Sequence, residues 1–169
     1  MGVSACLLGQ RVRYDSDSRP HAWICNELPR HAGVLPFCPE TQAGLATPRP
    51  PVQLVQLAQG GIRALGVENP DLDVTEKLQQ WTEQQLTHLR ALDAMIFKSR
   101  SPSCGLGSVP LHDADGAVLQ SDFDGIYAAW VRQHFPDLQL CDEVWLEEKR
   151  HQEMFLRRLE KKVWSRCNN

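Results

Sequence analysis

An α/β fold, with a mainly parallel sheet flanked by helices, is the class this sequence predicts, and three observations carry the prediction. Four short apolar segments recur along the chain, and amphipathic stretches of helical period lie between them. Strands that alternate with helices are laid side by side in parallel, because each crossover helix returns the chain to the same end of the sheet. The third observation is size and balance: 169 residues, 42% hydrophobic and 23% charged, with a formal net charge of −3. A chain of this length buries roughly two-thirds of its unfolded surface. One domain over 1–169 is therefore expected, and disorder or a collagen-like repeat is excluded by composition.

The apolar segments Gly2–Leu8, Gly33–Cys38, Ala94–Lys98 and Leu138–Cys141 are the expected strands. Val74–Leu92 places Val74, Leu78, Trp81, Leu86, Leu89 and Leu92 near a 3.6 period, with Thr75 or Asp73 as cap. Phe123–Phe135 repeats the pattern, with Ser121 or Asp122 as cap and Pro136 as stop. A last helix over about Glu147–Arg166 sets Phe155, Leu156, Leu159 and Val163 on one side. Two short hairpins interrupt the alternation: Gln53–Leu57 with Ile62–Gly66 around Gly60-Gly61, and Ser108–His112 with Ala117–Gln120 around Asp115-Gly116. The result is a single Rossmann-like α/β domain whose region 147–169 forms a C-terminal basic helix. The cluster Thr47-Pro48-Arg49-Pro50-Pro51 is expected to be a stiff loop.

No apolar run approaches the ~20 residues of a membrane-spanning helix, so no membrane association is expected. Met1–Cys6 has neither a basic n-region nor a long apolar stretch, which argues against a signal peptide and for a cytoplasmic location. In that reducing compartment six cysteines are ligands, nucleophiles or core residues rather than disulfides. None forms a Cys-x-x-Cys pair, so a zinc ribbon is not indicated.

Three of the six fall in equivalent places. Cys6 sits near the end of the first expected strand, Cys38 closes the second, and Cys104 follows the third in Lys98-Ser99-Arg100-Ser101-Pro102-Ser103-Cys104-Gly105. Ligands of open parallel sheets bind beyond the carboxyl ends of the strands, where these thiols would converge. Three thiolates at one point can hold a metal and leave a coordination position open; three buried core cysteines are the plainer alternative. Cys38-Pro39-Glu40 sets a carboxylate two positions past a thiol, with Pro39 restricting the backbone between them. Ser99, Ser101 and Ser103 alternate, so an extended path would turn all three hydroxyls to one side. Gly105 and Gly107 permit a turn whose amides could face an anion. Arg13 and Asp15 follow the first strand and can pair with each other.

The opening run Val3-Ser4-Ala5-Cys6-Leu7-Leu8-Gly9-Gln10-Arg11-Val12-Arg13-Tyr14-Asp15 resembles the first motif of the thiouracil desulfidase family. The block from Phe37-Cys38-Pro39-Glu40 to Pro51 resembles its second motif, and Lys98–Gly105 its third, so the ordered match spans roughly 2–145. That resemblance implies an enzyme holding a [4Fe-4S] cluster through Cys6, Cys38 and Cys104, with one iron lacking a protein ligand. It implies non-redox chemistry, in which a thiocarbonyl sulfur leaves as sulfide and water supplies the carbonyl oxygen. Cluster identity comes from the family, since the residues alone do not separate it from zinc.

On that footing Glu40 is the expected base, and Ser101 the residue that relays a proton or orients substrate, with Ser103 as its competitor. Asp15 is a weaker candidate for positioning substrate or water. The partner is a small thiolated base or nucleoside. One departure is Ser16, where the resembled motif usually continues with glycine. The connection also holds His21, Cys25 and His31, any of which would close the open iron if it reached the cluster; loop and packing roles are expected for them. Cys141 and Cys167 are assigned to core and tail. The C-terminal helix carries seven basic residues against four acidic ones. Such a face can bind a phosphate backbone, but a solvated outer surface is expected, which sets thiolated uridine in tRNA behind a free base. The rivals from other classes are a non-catalytic metal or cluster-binding protein and an enzyme that uses Cys104 as nucleophile.

Overall fold

In the computed structural model, which describes residues 1–167, every expected strand and hairpin is present. In chain order the strands are β1 (Gly2–Ser4), β2 (Leu35–Phe37), β3 (Val52–Gln56), β4 (Ile62–Gly66), β5 (Ala94–Phe97), β6 (Val109–His112), β7 (Val118–Phe123) and β8 (Gln139–Asp142). Of these, β1, β2 and β5 are shorter than expected, β3 and β8 are shifted by a residue, and β7 runs on to Phe123. The α-helices are α1 (Ala22–Asn26), α2 (Pro39–Gln42), α3 (Thr75–Gln84), α4 (Leu86–Arg90), α5 (Ile126–His134) and α6 (Lys149–Cys167). Strands β2-β1-β5-β8 form a parallel sheet in that order. The chain moves from β1 to β2 on one side and later to β5 on the other, so the boundary between β1 and β5 is the topological switch point.

Strand β5 shows why the sheet is central. Side chains alternate across a strand, and Ala94 and Ile96 enter one core while Met95 and Phe97 enter another. All four are buried, the pattern of a parallel strand covered on both faces. The first core adds Ile24 from α1 with Phe155 and Leu159 from α6; the second adds Trp81 from α3 with Tyr127 and Val131 from α5.

The two hairpins do more than interrupt the alternation. Strand β3 pairs in parallel with β6, setting Leu54 against Leu111, and this joins them into a second, mixed sheet of order β4-β3-β6-β7. Helix α3 covers it through Leu78, which packs with Leu54, Ala64, Val109 and Leu111.

Several boundaries differ from expectation for local reasons. The stretch 74–92 is two helices, α3 and α4, which meet at Gln85. The Asp73 carboxylate accepts the Thr75 N–H at 2.9 Å, whereas the Thr75 hydroxyl accepts the Ala64 N–H and so is not a cap. Ser121 and Asp122 do not cap α5, because pairing of β7 with β6 runs on to Phe123; Gly125 is the N-cap. The last helix starts at Lys149, after a 3-10 turn over Trp145–Glu147. Among the described residues no helix is long and apolar enough to cross a membrane.

Candidate active site

Three connections leave the carboxyl ends of neighbouring parallel strands, and each carries one of the three cysteines. Cys6 lies in the 3-10 turn Ala5–Leu8 directly after β1; Cys38 is the N-cap residue of α2 directly after β2; Cys104 sits in the loop after β5. All three line one cavity of about 510 Å³. Its other wall is the second sheet, through Val52 and Leu54 of β3 and Val109, Pro110 and His112 of β6. The cavity therefore lies beyond the strand ends of one sheet with the other sheet as a wall.

The thiols sense one another. Burial, and after it the neighbouring Cys38 thiol, pushes the Cys6 thiol up to about 11 against the pull of Lys98 and Arg13. Burial also drives Cys104 well above the ordinary thiol range, with Cys38 and Cys6 adding to the shift and a hydrogen bond from Ser4 opposing it. Thiols held this way ionise when a metal takes the proton's place. Among the described residues no three His, Cys, Asp or Glu side chains are grouped tightly enough for one ion. Three soft donors lining one cavity suit a thiophilic group, and an iron–sulfur cluster is one.

Glu40 stands beside these thiols in the first turn of α2 and lines the same cavity. Its Oε2 accepts from Arg49 Nε at 2.7 Å, and its Oε1 accepts the Ser103 hydroxyl at 2.9 Å. Arg49 is itself fixed, donating to the Ala46 and Val12 carbonyls and to Thr47 Oγ1. One carboxylate is thus oriented by the second and third motifs together, and Arg49 ties it to the first.

The family model of 2-thiouracil desulfurase matches residues 1–143, most of the chain. The chain belongs to the 2-thiouracil desulfurase family. Among solved structures it resembles the [4Fe-4S]-dependent thiouracil desulfidase TudS, with a TM-score of 0.69 and 33% identity, covering 87% of this chain and 92% of that one. Protein YbbK of Bacillus subtilis is 27% identical over 138 residues, covering 78% of this chain and 88% of that protein. The matched region of the family ends before α6, whose charged face is largely exposed and lines no part of the cavity.

Of the other expected residues, the structure brings some to the cavity and leaves others away from it. Ser101 lines the cavity, and its oxygen accepts the N–H groups of Ser103 and Cys104 at 3.3 and 3.1 Å. Ser103 is fully buried and turned to Glu40, while Ser99 donates to Glu143 Oε1 at 2.7 Å. The three hydroxyls therefore do not share a side: the segment turns rather than extends, with Arg100 at a positive φ of 58°. Neither glycine amide is free for a bound anion, since Gly105 N–H donates to Ser101 O and Gly107 N–H to the Asp124 carboxylate at Oδ1.

Asp15 does not line the cavity; it accepts from Arg13, which does. That hydrogen bond from Arg13 holds the Asp15 carboxyl below its usual range. Ser16, the expected departure from the first motif, takes a positive φ of 60°, a conformation glycine adopts without steric cost. His21 caps α1 by accepting the Ile24 N–H, Cys25 donates to the Leu7 carbonyl, and His31 is exposed; none lines the cavity. Cys141 is a core residue of β8, and the Cys167 side chain lies outside the described residues.

Sequence reasoning missed two partners. Arg49 was hidden in a proline-rich loop, although the second motif includes it. Glu143 accepts from Lys98 Nζ at 2.5 Å and from Ser99 N–H at 2.8 Å, closing a buried network behind the third motif. A lone glutamate after β8 carries no sequence signal for that role.

Proposed function

We propose that this chain is a [4Fe-4S]-dependent, non-redox hydrolase that converts thiouracil-type pyrimidines to the uracil-type product with release of hydrogen sulfide. Cys6, Cys38 and Cys104 would hold the cluster. The single observation behind this is that three cysteines from distant motifs line one cavity with an oriented carboxylate. Membership of the 2-thiouracil desulfurase family and the likeness to TudS support the same reading.

When bound, the cluster supplies a soft Lewis acid that accepts the thiocarbonyl sulfur. The rest is the work of side chains. Glu40 takes a proton from the attacking water, so that a thiocarbonyl group and water give a carbonyl group and hydrogen sulfide. Arg49 and Ser103 hold the carboxylate so that it presents one face to the cavity. Ser101, whose oxygen already accepts two loop N–H groups, has its own proton to give to substrate. Arg13, paired with Asp15, sets positive charge in the cavity wall, and Asp15 acts on substrate through it. The volume suits a small thiolated base or nucleoside beside a cluster.

Anaerobic reconstitution followed by iron, sulfide and uracil assays with 2-thiouracil and 4-thiouracil tests the reading. Glu40→Gln should keep the cluster's visible absorption and lose turnover by roughly 10²–10⁴-fold, the worth of a general base. Full loading without sulfide release from either compound would favour a cluster-binding protein. Sulfide release without iron would favour a cysteine nucleophile. Full turnover in Glu40→Gln removes that residue from the chemistry.

A further inference from the structure

Tyr127, the second residue of α5, is wholly buried, and its hydroxyl has no hydrogen-bond partner among the described residues. The ring is boxed by aromatic neighbours: Phe37 at a centroid distance of 6.4 Å, Trp81 at 5.3 Å and Phe97 at 5.8 Å. None of these side chains offers the acceptor that a buried tyrosine ordinarily finds. Phenylalanine would fill the same space without leaving a polar atom stranded, so packing does not account for the oxygen.

The position of the ring is set by the loop that carries Cys104. The first N–H groups of α5 are spent on that loop: Gly125 donates to Gly105 O at 2.7 Å, Ile126 to Pro102 O at 3.0 Å, and Tyr127 and Ala128 to Ser103 O at 2.9 and 3.2 Å. Tyr127 is thereby pinned one residue from Cys104, and both side chains belong to the same buried cluster. Burial, and after it the neighbouring Cys104 thiol, pushes the hydroxyl above the ordinary phenol range. A neutral thiol is a weak acceptor, whereas a metal-bound thiolate is a good one.

Resting on the assignment of a cluster to Cys6, Cys38 and Cys104, we propose that Tyr127 is a positioning residue that donates an O–H···S hydrogen bond to the Cys104 thiolate of the loaded site. The bond satisfies the stranded hydroxyl, fixes the sulfur against the loop, and withdraws electron density from the cluster. A donor to a ligating sulfur favours the reduced, more negative state and so raises the reduction potential.

Tyr127→Phe in the full chain, reconstituted anaerobically, separates this role from packing because its two readouts move in opposite directions. The loaded variant should show a more negative midpoint potential and lose iron to a chelator roughly ten-fold faster. The apoprotein should unfold at the same or a higher temperature, since the unpaired hydroxyl is gone. Phe97→Leu, which loosens the same box without touching the hydroxyl, should leave the potential where it is. Unchanged potential and iron release in Tyr127→Phe overturn the inference. So does a lowered unfolding temperature of the Tyr127→Phe apoprotein, or an equal shift of potential in Phe97→Leu. Failure of the unmodified chain to take up iron and sulfide overturns the cluster assignment itself, and this inference with it.

Discussion

Removing Arg49 strands the carboxylate on which the proposed chemistry depends. Arg49 and Glu40 are 8% and 13% exposed at their side chains, with Nε and Oε2 2.7 Å apart. Taking one partner from a buried ion pair leaves an uncompensated charge and typically costs ~3–5 kcal/mol. Glu40 keeps its hydrogen bond from Ser103, which places Arg49→Leu near the lower end, about 3 kcal/mol. For a domain of this size each kcal/mol is worth about 2–4 °C, so the apoprotein's melting temperature should fall by about 6–12 °C. Combining Arg49→Leu with Glu40→Gln should recover much of that loss, because the stranded charge is then absent. A double-mutant cycle by urea denaturation reads a coupling of about 2 kcal/mol. Loss of less than about 1 kcal/mol in Arg49→Leu would put the pair among solvent-screened surface ion pairs, and the argument that Arg49 orients Glu40 would fail.

Two further predictions test the scaffold around the site. Gly125 has an ordinary φ of −63°, yet a Cβ there would lie 2.6 Å from the Ser103 carbonyl and 2.8 Å from Ser101 O. Gly125→Ala should cost at least ~1–3 kcal/mol by overpacking and push the Cys104 loop aside, so iron per chain after reconstitution should fall with stability; full loading would refute it. Burial raises the Glu143 carboxyl, but hydrogen bonds from Lys98 and Ser99 outweigh it and hold the group below its usual range. A depressed folded pKa gives stability that is present above the unfolded value of about 4.3 and lost as pH falls through the folded value. Acid titration of the apoprotein by circular dichroism should therefore show falling stability below about pH 4.3. Glu143→Gln should be less stable at neutral pH and show a shallower acid slope, to which Asp73 still contributes; an unchanged slope would discount the network.

How far the site was legible follows from the range of each interaction. Cys6, Cys38 and Glu40 could be placed because each is tied to the end of an apolar run within its own segment. Cys104 could be placed because a compact motif surrounds it. The serines were misread because alternation in sequence means a shared side only in extended chain, and Arg100 at positive φ bends the segment instead. The cap of α5 was misread because β7 extends through Ser121 and Asp122 on the strength of pairing with β6, which no local signal announces. Asp15 was a plausible ligand-facing carboxylate until its nearest cation proved to be Arg13, two residues away.

By itself the sequence determined the alternation of strands and helices, the two hairpins and the three cysteines at strand ends. Those follow from side-chain periodicity, turn chemistry and chain direction, all of which act within a few residues. Only the tertiary structure decided that the hairpins merge through β3 and β6 into a sheet that walls the cavity. It also decided that Glu40 is held by Arg49 and Ser103, and that Glu143 closes on Lys98 and Ser99, 45 and 44 positions away. These are contacts between polar groups far apart in sequence. Their worth comes from exclusion of water, and burial exists only once the two sheets and their helices have packed.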